Sequence, residues 1–151
     1  DDFDTRIFER TAEGVVTVWA TDVPSPNGMA FSPEGDVLYV ANTFVNPAPI
    51  QSFPVSDGAA GTPTTLHAYG PATTPDGLAV AETGELLIAL NLANRVDVWD
   101  GAEVSPLAGD LPTVASIAFG QEPFNPCAIY VTSLFGDAVW SVPAGLRGPR
   151  P

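Results

Sequence analysis

The sequence contains no lysine: its five basic residues are Arg6, Arg10, Arg95, Arg147 and Arg150, set against eighteen acidic residues, for a formal net charge of -13. Such a field repels phosphate backbones and anionic lipid surfaces and attracts cations. Nucleic acid is therefore not an expected partner. No apolar run approaches the eighteen or so residues that a membrane-spanning helix requires, and no membrane is expected as a partner either. Histidine occurs once, as His67, and cysteine once, as Cys127. With no second histidine or cysteine beside it, His67 reads as structural or solvent-facing. A Ser-His-Asp arrangement is not credible, and Gly-x-Ser-x-Gly is absent.

A single cysteine cannot close an intrachain disulfide. Cys127 either pairs with a cysteine upstream of Asp1, which would imply secretion, or is a buried free thiol. The chain opens at Asp1 with neither an initiator methionine nor the basic-then-apolar profile of a secretory leader, so it reads as processed or cut. The compartment stays open, with a secreted or periplasmic location favoured over a cytoplasmic one. Asp1, Asp2 and Asp4 form an acidic cluster that reads as a solvated end.

What the sequence does hold is apolar side chain and punctuation. Hydrophobic residues make up 45%, enough for a substantial core in one domain, while sixteen prolines and fourteen glycines leave few helix-compatible stretches. An all-β fold follows. Residues 26–31 (PNGMAF) and 75–80 (PDGLAV) share a pattern, each leading through a glycine turn into an apolar strand at 37–41 and 86–90. A degenerate third copy runs over residues 114–119 (VASIAF), with its second strand at 128–132. Spacings of 40 to 50 residues between short-stranded units indicate propeller blades.

Strands come in fours. One unit takes residues 29–32, 37–41, 50–55 and 64–69; the next takes 78–81, 86–90, 95–99 and 103–107. The third takes 117–120, 128–132 and 138–142 and lacks a fourth strand, and a hairpin of 6–9 with 15–19 reads as the outer half of an earlier blade. Leu86–Leu90 is continuously apolar and is expected to be buried on both faces, whereas Arg95–Trp99 alternates as a half-buried strand does. Trp19, Trp99 and Trp140, at comparable late-strand positions, are expected to pack between blades, with carbohydrate stacking as a lesser alternative. About three and a half blades leave sheet faces and edges uncovered. Residues 1–151 therefore read as one partial propeller, completed by missing N-terminal blades or by a second chain.

The runs SPNGMAFSPEG at 25–35, LYVA at 38–41, TPDGLA at 74–79, AFG at 118–120 with Leu134, and IYVTS at 129–133 resemble the C-terminal half of the SMP-30/gluconolactonase/LRE-like family. The resemblance implies a six-bladed β-propeller hydrolysing a small lactone or ester with one divalent cation. Carried over by motif, Asn27 and Asp76 are the metal ligands, and Asp76 is also the catalytic general base. A carboxamide oxygen and a carboxylate are hard donors suited to Ca²⁺ first, then Mg²⁺ or Mn²⁺, with Zn²⁺ also accepted in the family. The family's remaining ligand, a glutamate of the first blade, falls in a region this chain does not contain. Thr43 and Asn91, each just after a strand, are weaker candidates for substrate contact. Pro-Asn-Gly and Pro-Asp-Gly are equally good turn sequences, so the motifs also read as plain connections. The third copy, with Val114 and Ser116 in place of proline and glycine, is not expected to supply a ligand. The alternatives are a non-catalytic propeller serving as a binding or scaffold module, and a strictosidine-synthase-like or lyase relative.

Overall fold

Short apolar runs separated by glycine- and proline-bearing turns form antiparallel strands throughout the computed structural model, which describes residues 5–150. The acidic cluster at Asp1, Asp2 and Asp4 lies outside the described residues. A first hairpin pairs β1 (Ile7–Arg10) with β2 (Val16–Ala20). The next sheet runs in the order β3 (Pro26–Phe31), β4 (Val37–Asn42), β5 (Ala48–Ser56) and β7 (Thr64–Tyr69), with the two-residue β6 (Ala59–Ala60) folded back on the end of β5. Then come the four-stranded sheet β8 (Pro75–Val80), β9 (Leu86–Leu90), β10 (Arg95–Trp99), β11 (Val104–Ala108) and the three-stranded sheet β12 (Val114–Phe119), β13 (Ala128–Ser133), β14 (Val139–Pro143). The innermost strands pack in succession, β3 on β8 and β8 on β12. These are the blades of a partial β-propeller.

Alternation along each second strand assigns the two faces of a blade to two different cores. In β9 all five side chains are buried: Leu86, Ile88 and Leu90 pack with Tyr39, Ala41 and Ile50 of the preceding blade. Leu87 and Ala89 pack with Val114, Ile129 and Val131 of the following one. In β4, Leu38 and Val40 pack with Phe53 of the neighbouring strand and with Ile7 of the first hairpin. The three tryptophans repeat one role, Trp19 against Phe53 and Trp99 against Tyr39 at ring separations of 5.9 and 6.2 Å, with Trp140 in the last inter-blade core.

Several features depart from the sequence reading. The Asp57-Gly58 pair, with φ of 51° and 78°, makes a two-residue hairpin loop that creates β6, an Asp-Gly signal that went unread. The carbonyl of Gly58 accepts a 2.7 Å hydrogen bond from the Trp19 indole. The second departure is Asp97, which occupies the polar phase of an alternating strand yet is 1% exposed. Arg95 grips it with two bonds of 2.7 and 3.1 Å, and the Tyr69 hydroxyl of the preceding blade donates to it at 3.2 Å. Burial, and then the Asp97 charge, raise the Tyr69 pKa well above the phenolic range. A fully paired buried charge thus joins two blades, and removing one partner would leave it uncompensated.

The proline-led motifs are not turns. The innermost strands begin three residues earlier than the apolar pattern indicates, at Pro26 and Pro75, and each carries a bulge there. Pro26 pairs with Asn42 and Met29 with Val40, so Asn27 and Gly28 together oppose one residue. Pro75 to Leu90 and Leu78 to Ile88 repeat this in β8, and Val114 to Ser133 and Ile117 to Val131 repeat it in β12. The glycines allow these bulges to stack. A Cβ on Gly28 would run into the carbonyl oxygen of Asp76, and one on Gly77 into the carbonyl of Ala115, standing 2.8 Å from the Ser116 Cα. Gly77→Ala should lower the unfolding free energy of the intact protein in urea by about 2–3 kcal/mol, since the obstructing atoms are backbone. Gly109→Ala, whose Cβ meets nothing within 4 Å, should stay within about 0.5 kcal/mol.

Candidate functional site

Three stacked bulges put three side chains in equivalent places at one end of the innermost strands: Asn27, Asp76 and Ala115. Two of these are oxygen donors. The Asn27 carboxamide lies beside the Asp76 carboxyl and favours the charged form of the acid, but burial has the larger effect and raises the Asp76 pKa above the ordinary carboxylate value. The Asn27 Nδ2 donates to the Thr43 hydroxyl at 3.0 Å. With its nitrogen so engaged, the carboxamide's other polar atom, Oδ1, is the one suited to a cation.

Thr43 does more than stand near the mouth. Its buried hydroxyl accepts from Asn27 and donates to the Pro75 carbonyl at 2.6 Å, so one side chain connects the first motif to the strand that carries the second. Asn91 is its counterpart in the next blade. The Asn91 amide is buried and donates from Nδ2 to the carbonyls of Thr113 and Val114 at 3.1 and 3.2 Å, the start of the following innermost strand. Both residues thus clip one blade to the next. The backbone repeats this equivalence, with Thr43 N donating to Ser25 O, Asn91 N to Thr74 O and Leu134 N to Thr113 O.

The residue leading into the second motif, Thr74, has φ 48°, a left-handed conformation that a β-branched side chain rarely adopts. It is held there by a backbone bond from Asn91 N and by its own hydroxyl, which accepts from Leu92 N at 2.9 Å. Thr113, with φ 49°, repeats this conformation at the equivalent place before Ala115, so it belongs to the blade repeat and does not mark Asp76 alone.

The other sequence candidates lie elsewhere. His67 sits on outer strand β7 with its ring edge-on to Tyr69 at 4.5 Å, away from the bulges. Cys127 is exposed, so the expectation of a buried thiol does not hold: it lies in the turn before β13, where its backbone N–H bonds Asn125 Oδ1. Among the described residues no three His, Cys, Asp or Glu side chains gather as a metal site. Asn27 and Asp76 suit a hard cation in kind but supply only two of the six to eight oxygens such an ion takes.

The region from residue 4 to residue 135 matches the family model described as the SMP-30/Gluconolactonase/LRE-like region. The chain belongs to this family. As a member of the SMP-30/gluconolactonase group, it is 28% identical over 144 residues to pentonolactonase XacC of Haloferax volcanii, covering 93% of this chain and 48% of that protein. Two solved structures share its fold. A gluconolactonase from Xanthomonas campestris aligns with TM-score 0.75 at 24% identity, over 93% of this chain and 44% of its own. A calcium-binding protein, regucalcin, from Agrobacterium tumefaciens aligns with TM-score 0.77 at 21% identity, over 95% and 53%. The chain thus spans about half the length of the relatives it matches.

The positioning role of Thr43 was not legible in the sequence, because the contact crosses between blades; a polar residue directly after the second strand in two successive units was the available signal. The raised pKa of Asp76 means that the folded state binds its proton more tightly than the unfolded chain does. Stability held by the protonated acid is therefore lost as pH rises through the folded-state value. In chelator-treated protein Asp76→Asn should melt at a higher temperature than the parent at pH 7, and the gap should close as pH falls through the carboxylate range. An unchanged or lower melting temperature at pH 7 would contradict this.

Proposed function

We propose that the ring to which this chain contributes is a metal-dependent hydrolase that opens a small lactone or related ester, with Asn27 and Asp76 as two ligands of one divalent cation. The observation that carries this reading is the pair itself: a carboxamide and a partly buried carboxyl set at equivalent places on adjacent innermost strands by stacked bulges, at the positions of the family motif. The named lactonases among the relatives supply the substrate class, and the calcium-binding neighbour favours Ca²⁺, with Mg²⁺, Mn²⁺ or Zn²⁺ as alternatives.

The chain's own residues have distinct tasks. Thr43 holds the Asn27 nitrogen and fixes the orientation of the amide, so that Oδ1 would be the atom left to hold the cation. Asp76 would help hold the cation and would accept the proton of the attacking water as general base. The bound cation would polarise the lactone carbonyl and stabilise the negative charge that forms on its oxygen. Thr43 and Asn91 set the spacing of the blades, and a direct contact of either with substrate is the lesser of their roles.

The remaining ligands are proposed to come from the blades that complete the ring, supplied by preceding chain or by a second chain. An apolar groove of about 540 Å³ between the first hairpin and the second sheet, lined by Ile7, Phe8, Trp19, Met29 and Phe31, supports this. It lies beside the β1–β2 hairpin, which has only two strands among the described residues. Hydrolysis of a simple lactone by the intact protein, followed by acid release, tests the activity. Asp76→Ala is expected to lower kcat/KM by about 100-fold or more and to abolish calorimetric binding of Ca²⁺. Thr43→Val is expected to cost about tenfold, through Asn27 orientation. Undiminished turnover in Asp76→Ala would overturn the assignment of Asp76, and a complete ring that binds no divalent ion and opens no lactone would overturn the reading in favour of a non-catalytic module.

A further inference from the structure

Resting on that reading, we propose that the substrate carries an apolar substituent, an alkyl or aryl group on the lactone ring, held by a rim formed from Phe44, Leu92 and Phe135. These three are the residues that follow Thr43, Asn91 and Leu134, the repeated backbone donors at the end where the bulges open. Phe44 N donates to the Ser25 hydroxyl, two residues before Asn27, and Leu92 N donates to the Thr74 hydroxyl, two residues before Asp76. Leu92 therefore stands to Asp76 as Phe44 stands to Asn27. Phe135 repeats the position beside Ala115, the axial place without an oxygen donor.

All three side chains are exposed, Phe44 to 86%, Leu92 to 55% and Phe135 to 82%. For Leu92 the incomplete ring does not account for this. Leu92 belongs to a complete four-stranded blade with a described blade on either side, and it is still more than half exposed. An isolated exposed leucine or phenylalanine is ordinary, but the same apolar choice at one register position in three successive blades, next to the only oxygen-bearing axial pair among the described residues, is a patterned surface. Such a rim gives a polyhydroxylated lactone no side-chain partner for its hydroxyls at these three positions. It gives an alkyl chain three surfaces to cover.

The test compares γ-butyrolactone, γ-nonalactone and glucono-δ-lactone as substrates of the intact protein, and compares binding of 2-pyrrolidinone with that of its 5-pentyl derivative as unreactive analogues. The expected result is kcat/KM about tenfold or more higher for γ-nonalactone than for γ-butyrolactone. Phe44→Ser and Leu92→Ser should each lower the γ-nonalactone value about three- to tenfold and leave γ-butyrolactone within about twofold. Turnover of lactones with no chain-length preference, or with a preference for glucono-δ-lactone that the rim variants do not alter, overturns the rim and leaves the hydrolase reading intact. If no lactone is opened but the pentyl lactam binds and Phe44→Ser weakens it, the rim stands and the hydrolase reading fails; if neither occurs, both fail. Rim variants that change only the sedimentation of the protein make this surface an interface between copies, and that too overturns the proposal.

Discussion

Backbone-to-backbone approach at the centre of the blades is the constraint on which the rest depends. Gly28 packs so closely on the Asp76 carbonyl, and Gly77 on the Ala115 carbonyl, that a single methyl group has no room at either place. The glycines are needed here for lack of bulk, since neither has the positive φ that marks the turn glycines at 35 and 84. Close stacking brings consecutive bulges into line, and a bulge aims a side chain that a regular ladder would leave on one face of the sheet. Asn27 and Asp76 meet for that reason.

Farther from the centre the blades are held by repetition of a few contacts. Alternating side chains of β4 and β9 divide themselves between two cores, and a tryptophan packs into each inter-blade layer. Thr43 and Asn91 add a hydrogen-bonded clip at one end, and the buried Tyr69–Asp97–Arg95 cluster adds a charged one between β7 and β10. Fully partnered, such a cluster favours one register of blade on blade. The order of blades around the mouth, and with it the separation of the two motif residues, follows from these contacts.

Much of this architecture was legible because strand periodicity is local. Leu86–Leu90 and Arg95–Trp99 have the limits that their apolar patterns mark, and the missing fourth strand of the last blade is evident from residues 145–149, which carry no strand character. Less was legible wherever one blade meets another. Proline, asparagine or aspartate, and glycine in a row are the residues of a turn, and only the partner blade's backbone explains why they sit inside β3 and β8. Asp97 looked solvent-facing for the same reason: its partner Tyr69 is 28 residues away in sequence. The family motif pointed to Asn27 and Asp76, while the link through Thr43 needed three dimensions.

If the paired side chains share one ion, the measurement that addresses it most directly is long-wavelength anomalous diffraction from crystals of the intact protein grown with Ca²⁺. One peak about 2.3–2.6 Å from both Asn27 Oδ1 and an Asp76 carboxylate oxygen is the expected result. Calcium bound elsewhere, with neither side chain within coordinating distance of it, would contradict it.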